Sequence, residues 1–224
     1  NGPHGLVGII TEPSDATTDP MNFFATSTDG LAWRRAGIGW PGKVRDLAAR
    51  DDGIVVAVGS TSEERPGEAA VWYTSEGDEW VEHTATDSPG ALLLSVTVID
   101  GRFFVVANTT EPQPDGSDRS EVWVTDDPTT GSWIPMTGLS EPVYLTGIFA
   151  LDDALVLVGN EDKNGLSGAA AWISTDFETW HRVRDKAFPG MNNEVASVIP
   201  TRAGGLLGIG WYYDRQAGHL VPAA

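Results

Sequence analysis

The apolar positions of this chain fall in short β-like runs separated by turns of Gly, Asp and Pro, and the pattern repeats. One unit can be read from Lys43 to Thr86. A strand at Val44–Ala49 meets a turn at Asp51-Asp52-Gly53, and Ile54–Gly59 is a β-branched run. A polar loop from Ser60 to Glu68 leads to Ala69–Tyr73. A second turn ends at Trp80, and Val81–Ala85 closes the unit. The second strand recurs as Phe103–Asn108, Leu155–Gly159 and Leu206–Gly210, and opens the chain as Leu6–Thr11. The third recurs as Glu121–Thr125 and Ala169–Ser174, with Trp72, Trp123 and Trp172 in matching places and Phe23-Phe24 supplying the bulk in the first unit. Gly59, Asn108, Gly159 and Gly210 mark the period at intervals of 49, 51 and 51 residues.

A second marker keeps the same beat. Trp33, Trp80, Trp133 and Trp180 are separated by 47, 53 and 47 residues, each ending a short polar turn. A strand-built repeat of this length predicts an all-β propeller of four-stranded antiparallel blades. The expected blades cover approximately 1–40, 41–88, 89–139, 140–188 and 189–224, the last one partial. The chain opens on a second strand and ends where a third should run. It is therefore expected to be part of a propeller of six or seven blades, with a five-bladed ring as the alternative.

The first strands carry another regularity. Thirteen residues before each Gly/Asn marker stand Asp46, Ser95, Thr146 and Ser197, all small and polar, with mostly apolar neighbours. Period-two alternation predicts two opposite faces, the polar set bordering the central channel and the apolar set packing on the next blade. Asp46 is the one charge in that set.

The turns read Ser27-Thr-Asp29-Gly-Leu-Ala-Trp33, Thr74-Ser-Glu76-Gly-Asp-Glu-Trp80, Thr125-Asp-Asp127-Pro-Thr-Thr-Gly-Ser-Trp133 and Ser174-Thr-Asp176-Phe-Glu-Thr-Trp180. A carboxylate and a hydroxyl two residues apart can accept backbone N–H bonds within the hairpin, and Gly permits positive φ. The Trp buries a large apolar surface. This pattern resembles the Asp-box, or BNR repeat, of the sialidase-like propellers. That superfamily includes sialidases, related glycoside hydrolases, sortilin-type receptors and photosystem assembly propellers. The resemblance implies a structural role for the box, on the face away from any active site, and favours a secreted or cell-surface setting. Glu76 in place of Asp and the longer third turn depart from the pattern, and looser turns are expected there.

Charge narrows the partners. Acidic residues outnumber basic ones 32 to 14, for a net charge of −18. A nucleic-acid backbone or an anionic membrane surface would be repelled. No run of apolar residues is long enough to span a bilayer. The first residue is Asn and no charged segment precedes an apolar stretch, so a signal peptide is read as absent or removed. Cysteine is absent, which excludes disulfides, thiol nucleophiles and Cys-ligated zinc.

Loops between second and third strands, at Glu12–Pro20, Ser60–Glu68, Thr109–Ser120 and Asn160–Gly168, are long and acidic. Together they predict an acidic rim, read either as a solvated surface or as a site for a cation or basic partner. Calcium is the one metal left open. Asp115, Asp118 and Glu121 offer hard oxygens at short spacing, without the spacing of a twelve-residue calcium loop. The four histidines share no metal spacing, and no other cofactor is implied.

Trp40, Arg45, Asp46, Tyr144 and Glu194 lie at or near the starts of first strands and are the candidate ligand contacts. The resemblance implies three arginines, a Tyr/Glu pair and an Asp acid for a sialidase. Arg45 could be one such arginine, but Leu94, Leu145 and Ala196 occupy the equivalent places. Asp46 and Glu194 are the best available carboxylate pair. The expected function is non-catalytic recognition of a protein or glycan. The alternative is a sialidase-like glycoside hydrolase with part of its site outside this chain.

Overall fold

A computed structural model describes residues 5–12, 21–40, 42–61, 68–84, 91–109, 120–139, 143–163, 166–183, 193–201, 206–214 and 219–223. Among these described residues, eighteen strands form five antiparallel sheets. The first holds β1 (Leu6–Glu12), β2 (Met21–Ser27) and β3 (Arg34–Trp40). The second holds β4 (Lys43–Ala49), β5 (Val55–Ser60), β6 (Ala69–Thr74) and β7 (Val81–Thr84). The third holds β8 (Ala91–Ile99), β9 (Arg102–Thr109), β10 (Ser120–Thr125) and β11 (Ile134–Pro135). The fourth holds β12 (Val143–Leu151), β13 (Ala154–Lys163), β14 (Leu166–Ser174) and β15 (His181–Arg182). The fifth holds β16 (Asn193–Pro200), β17 (Leu206–Asp214) and β18 (His219–Ala223). Within every sheet the strand order follows the sequence, as hairpin connections require.

The first strands stand side by side: β4 contacts β8, β8 contacts β12, and β12 contacts β16. This is the innermost tier of a radial array. The cores lie between sheets. Val56, Val58 and Val71 of the second sheet pack on Leu93, Phe103 and Val105 of the third. Phe104, Val106 and Val122 of the third pack on Leu145, Leu155 and Leu157 of the fourth. Phe24 meets Ala57, Ala70 and Trp72 across the first boundary, and Val156 and Val158 meet Val198 across the last.

The tryptophan ruler measures these boundaries. Trp80 stacks on Phe24 of the preceding sheet, with ring centroids 3.5 Å apart and planes within 10°. Trp133 packs on the core between second and third sheets, and Trp180 on that between third and fourth. The indole N–H groups of Trp80, Trp133 and Trp180 are buried without a hydrogen-bond partner, so packing alone holds them.

Two sequence expectations change. Asn160–Gly168 is no open loop. β13 and β14 continue pairing to Lys163↔Leu166, so the polar residues there extend a hairpin. The first strands also do not alternate strictly, because each carries a bulge. The register skips Arg45 in β4, Leu94 in β8, Thr146 in β12 and Ala196 in β16. A bulge adds one residue to one strand and shifts every later side chain to the other face.

The bulge also accounts for the period marker. In the second and fourth sheets the glycine sits opposite the residue just before the bulge, as Gly59↔Val44 and Gly159↔Leu145. A Cβ there would lie 1.9 Å from the Lys43 carbonyl oxygen, or 2.2 Å from that of Tyr144. In the third sheet Asn108 pairs with Leu92, one residue further from its bulge, and a side chain fits.

Candidate functional site

The four polar turns gather at one end of the sheets. In the first, Asp29 Oδ1 accepts the N–H groups of Leu31 (2.8 Å) and Ala32 (3.0 Å), while Ser27 Oγ accepts that of Gly30 (2.9 Å). In the fourth, Asp176 Oδ1 accepts those of Glu178 (2.9 Å) and Thr179 (2.7 Å), and the Ser174 hydroxyl (3.0 Å). In the second, where Glu76 replaces Asp, Thr74 Oγ1 accepts the N–H groups of Glu76 (3.3 Å) and Gly77 (2.9 Å). In the third, Asp127 Oδ1 accepts from the hydroxyl (2.6 Å) and N–H (3.0 Å) of Thr129 and caps a single 3-10 turn, Pro128–Thr130.

These donors favour the ionised carboxylate. The backbone N–H groups of Ala32 and Leu31 lower the pKa of Asp29. Those of Thr179 and Glu178 lower that of Asp176, and the Thr129 hydroxyl lowers that of Asp127. Such groups stay ionised near neutrality and are unsuited to general-acid work. Three of the turns also share one left-handed residue: Gly30 (φ 76°), Gly77 (φ 82°) and, without glycine, Phe177 (φ 61°).

The axial polar set links neighbouring first strands. Asp46 Oδ2 accepts the Ser95 hydroxyl (2.8 Å) and the Val96 N–H (3.0 Å) from the neighbouring sheet, and its Oδ1 accepts the Leu47 N–H (2.8 Å). Ser95 Oγ in turn accepts the Ile148 N–H of the next sheet (3.3 Å), and the Thr146 hydroxyl donates to the Val195 carbonyl of the one after (3.1 Å). The bulge regions of β4, β8 and β12 thus each share a hydrogen bond with the following sheet. Thr146 is the bulged residue itself, whereas Asp46, Ser95 and Ser197 follow theirs, because the fourth sheet's bulge falls one position later relative to its glycine.

The other candidates are distributed as follows. Arg45 is the bulged residue of β4 and is exposed. Tyr144, 38% exposed, lies opposite Asn160 near the start of β12. Trp40 ends β3 opposite Asn22, and Glu194 pairs with Trp211 in β16, but both side chains lie outside the described residues. Asp115 and Asp118 lie outside them as well, with most of the expected acidic rim, whereas Glu121 is half-buried in β10 opposite Ala107. Among the described residues no three His, Asp or Glu side chains are grouped to hold a metal.

Three features escape a reading of the sequence. Glu161, expected on the rim, is buried, and its Oε2 accepts from Arg182 Nε (2.9 Å) and Nη2 (2.8 Å). Arg50 reaches from the second sheet to the Gly101 carbonyl (2.9 Å) and the Asp126 carbonyl (2.6 Å) of the third, while its Nε bonds Asp52 (3.0 Å). Its only sequence signal is its place before the Asp51-Asp52-Gly53 turn. Finally, a groove of about 480 Å³ opens between the outer strands of the first two sheets, lined by Gly37, Gly39, Trp72, Glu79, Trp80 and Glu82 among others.

No family sequence model matches the chain, and no curated protein sequence matches it. Solved structures do. The β-propeller domain of the trilobed protease from Pyrococcus furiosus superimposes with a TM-score of 0.60 at 15% identity, over 97% of this chain and 65% of that one. A Hadza microbial sialidase gives 0.57 at 12% identity, over 92% and 50%, and the phage phi92 endosialidase 0.57 at 13%, over 85% and 35%. The chain therefore spans less than two thirds of each, and the likeness is one of fold: a β-propeller. No helix is long and apolar enough to cross a membrane among the described residues.

Proposed function

We propose that this chain is an Asp-box propeller whose role is recognition rather than catalysis, binding a protein or a glycan through the face that carries the loops between second and third strands. The observation that supports this reading most is the state of Asp46. It is the one carboxylate in the axial set, and both its oxygens are engaged: Oδ1 accepts the N–H of Leu47 in its own strand, and Oδ2 accepts the Ser95 hydroxyl and Val96 N–H of the next sheet. A carboxylate held this way serves as a fastener. The Asp-box carboxylates are committed to their own turns in the same manner. Arg45 and Tyr144, by contrast, stand exposed near the starts of β4 and β12, where a ligand on that face would meet them. Trp40 and Glu194 complete the proposed contact set.

The test pairs an assay for turnover with one for binding. The chain is incubated with a fluorogenic sialoside and separately probed on a glycan array and with an immobilised acidic-face peptide display library. The expected result is no hydrolysis above buffer, together with binding that Arg45→Ala or Tyr144→Ala weakens while the melting temperature holds. Sialoside hydrolysis that Asp46→Asn abolishes without unfolding the protein would overturn the reading in favour of a sialidase-like hydrolase.

A further inference from the structure

The groove between the first two sheets lies at their outer strands, apart from the loop-bearing face. Its walls combine aromatic surface with carboxylates. Trp80, backed by Phe24, forms one wall, and Trp72 donates its indole N–H to Glu82 Oε2 (2.8 Å), which fixes that carboxylate in place. Glu79 adds a second acid. Asp78 is spoken for by Arg34 of β3, 2.5 Å away, at one end of the groove. The groove thus keeps an excess of negative charge beside an indole.

At two other boundaries the matching places hold aromatic contacts. Between the second and third sheets, His83 stacks on Tyr73 (centroids 5.4 Å apart), and a Cβ on Gly131 of the third turn would lie 3.2 Å from the His83 ring. Between the third and fourth, Phe177 packs on Phe104 (5.5 Å) under the Arg102 guanidinium, 4.7 Å from the Phe177 centroid. At the first boundary Gly77 stands where Phe177 stands in the fourth turn, and β3 presents Gly37 and Gly39. Glycine within a strand marks a place where another group approaches closely. Gly37 has φ 78°, and a Cβ there would come within 3.5 Å of the Trp80 ring.

We infer that this groove is a binding site for an arginine side chain carried on a partner peptide. In the filled third boundary the protein itself lays a guanidinium, Arg102, over an aromatic ring. The open first boundary offers the same combination without the cation. A guanidinium is planar, stacks on indole and forks onto carboxylates, so Trp80, Glu79 and Glu82 match it in shape and sign. This site is separate from the recognition face proposed above, and its failure leaves that reading standing.

The test is an NMR titration of the full chain, following the Trp80 indole N–H, assigned from the spectrum of Trp80→Phe. The probes are N-acetyl-arginine amide, its neutral citrulline counterpart and maltose. The expected result is a saturable shift with the arginine probe and none with citrulline. Glu79→Gln and Glu82→Gln should each weaken binding by about two- to five-fold, the range of exposed charge pairs. Gly37→Asn, which tolerates left-handed backbone, should fill the groove and abolish binding with the melting temperature nearly unchanged. Equal shifts with arginine and citrulline, a shift with maltose alone, or no response at Trp80 would overturn the inference. So would arginine binding that survives both Gln substitutions.

Discussion

The boundary between the first and second sheets and that between the third and fourth start from the same parts. In both, the tryptophan that closes a polar turn lies against the preceding sheet: Trp80 on Phe24, Trp180 in the core with Phe104 and Leu155. In both, that indole N–H is buried and unpartnered. They differ in what covers the outer end. The fourth turn places Phe177 in a left-handed conformation that a bulky residue rarely adopts, and recovers the cost by packing it on Phe104 beneath Arg102. The second turn places Gly77 at that position without strain, and a groove lined by Gly37, Gly39 and Trp80 opens at this boundary. The frame of the repeat is therefore common to both boundaries, and the volume of a few side chains decides whether a boundary is sealed or open.

Substitutions can sharpen that contrast. Trp80→Ala should cost about 3 kcal/mol in chemical denaturation, as removal of a packed indole does. Trp33 is 44% exposed, and Trp33→Ala should cost only about 1 kcal/mol. Equal losses would mean that the indoles do not act through the preceding sheet. Phe177→Ala should cost about 2 kcal/mol. Phe177→Gly should cost about 1 kcal/mol less, because glycine relieves the left-handed strain that alanine keeps. If Phe177→Ala proved the milder change, the strain account would fail. Gly77→Ala should cost about 1 kcal/mol for the same backbone reason, measured by the same denaturation midpoints.

The smallest expected effect is on acid stability. Asp29, Asp127 and Asp176 have folded-state pKa values lowered from the ordinary 3.8. Their contribution is present in full above that value and is lost as pH falls through it towards the lowered values. Melting temperature followed from neutral pH downward should therefore hold until about pH 4 and then decline. Asp176→Asn should make that decline shallower. The second turn relies on the Thr74 hydroxyl in place of a carboxylate.

The architecture was legible because it rests on spacing. Trp33, Trp80, Trp133 and Trp180 mark successive sheets, and the runs around Gly59, Asn108 and Gly159 are the second strands they were read to be. The Ser/Asp pattern likewise announced hydrogen-bonded turns at Asp29 and Asp176. The bulges were not legible, because Arg45, Leu94, Thr146 and Ala196 share no residue type. A bulge is set by how two strands pair, and a single strand's pattern does not record it. For that reason the bonds by which Asp46, Ser95 and Thr146 join neighbouring sheets could not be read from the sequence. Glu161 was assigned to a rim because polar residues around Asn160 looked like a loop, and its partner Arg182 lies two strands away. The groove beside Trp80 was invisible for a similar reason. It is defined by glycines on one sheet facing aromatics on the next, a relation between blades that no local window contains.

The central claim is that the axial polar residues fasten one sheet to the next. A double-mutant cycle on Asp46→Ala and Ser95→Ala, read by equilibrium denaturation, addresses it most directly. The account predicts that Asp46→Ala alone costs about 2 kcal/mol, as loss of hydrogen bonds to a charged acceptor does. It also predicts a coupling of about 1 kcal/mol or more between the two sites. Losses that add to within about 0.3 kcal/mol would show that no bond joins Asp46 to Ser95, and would contradict it.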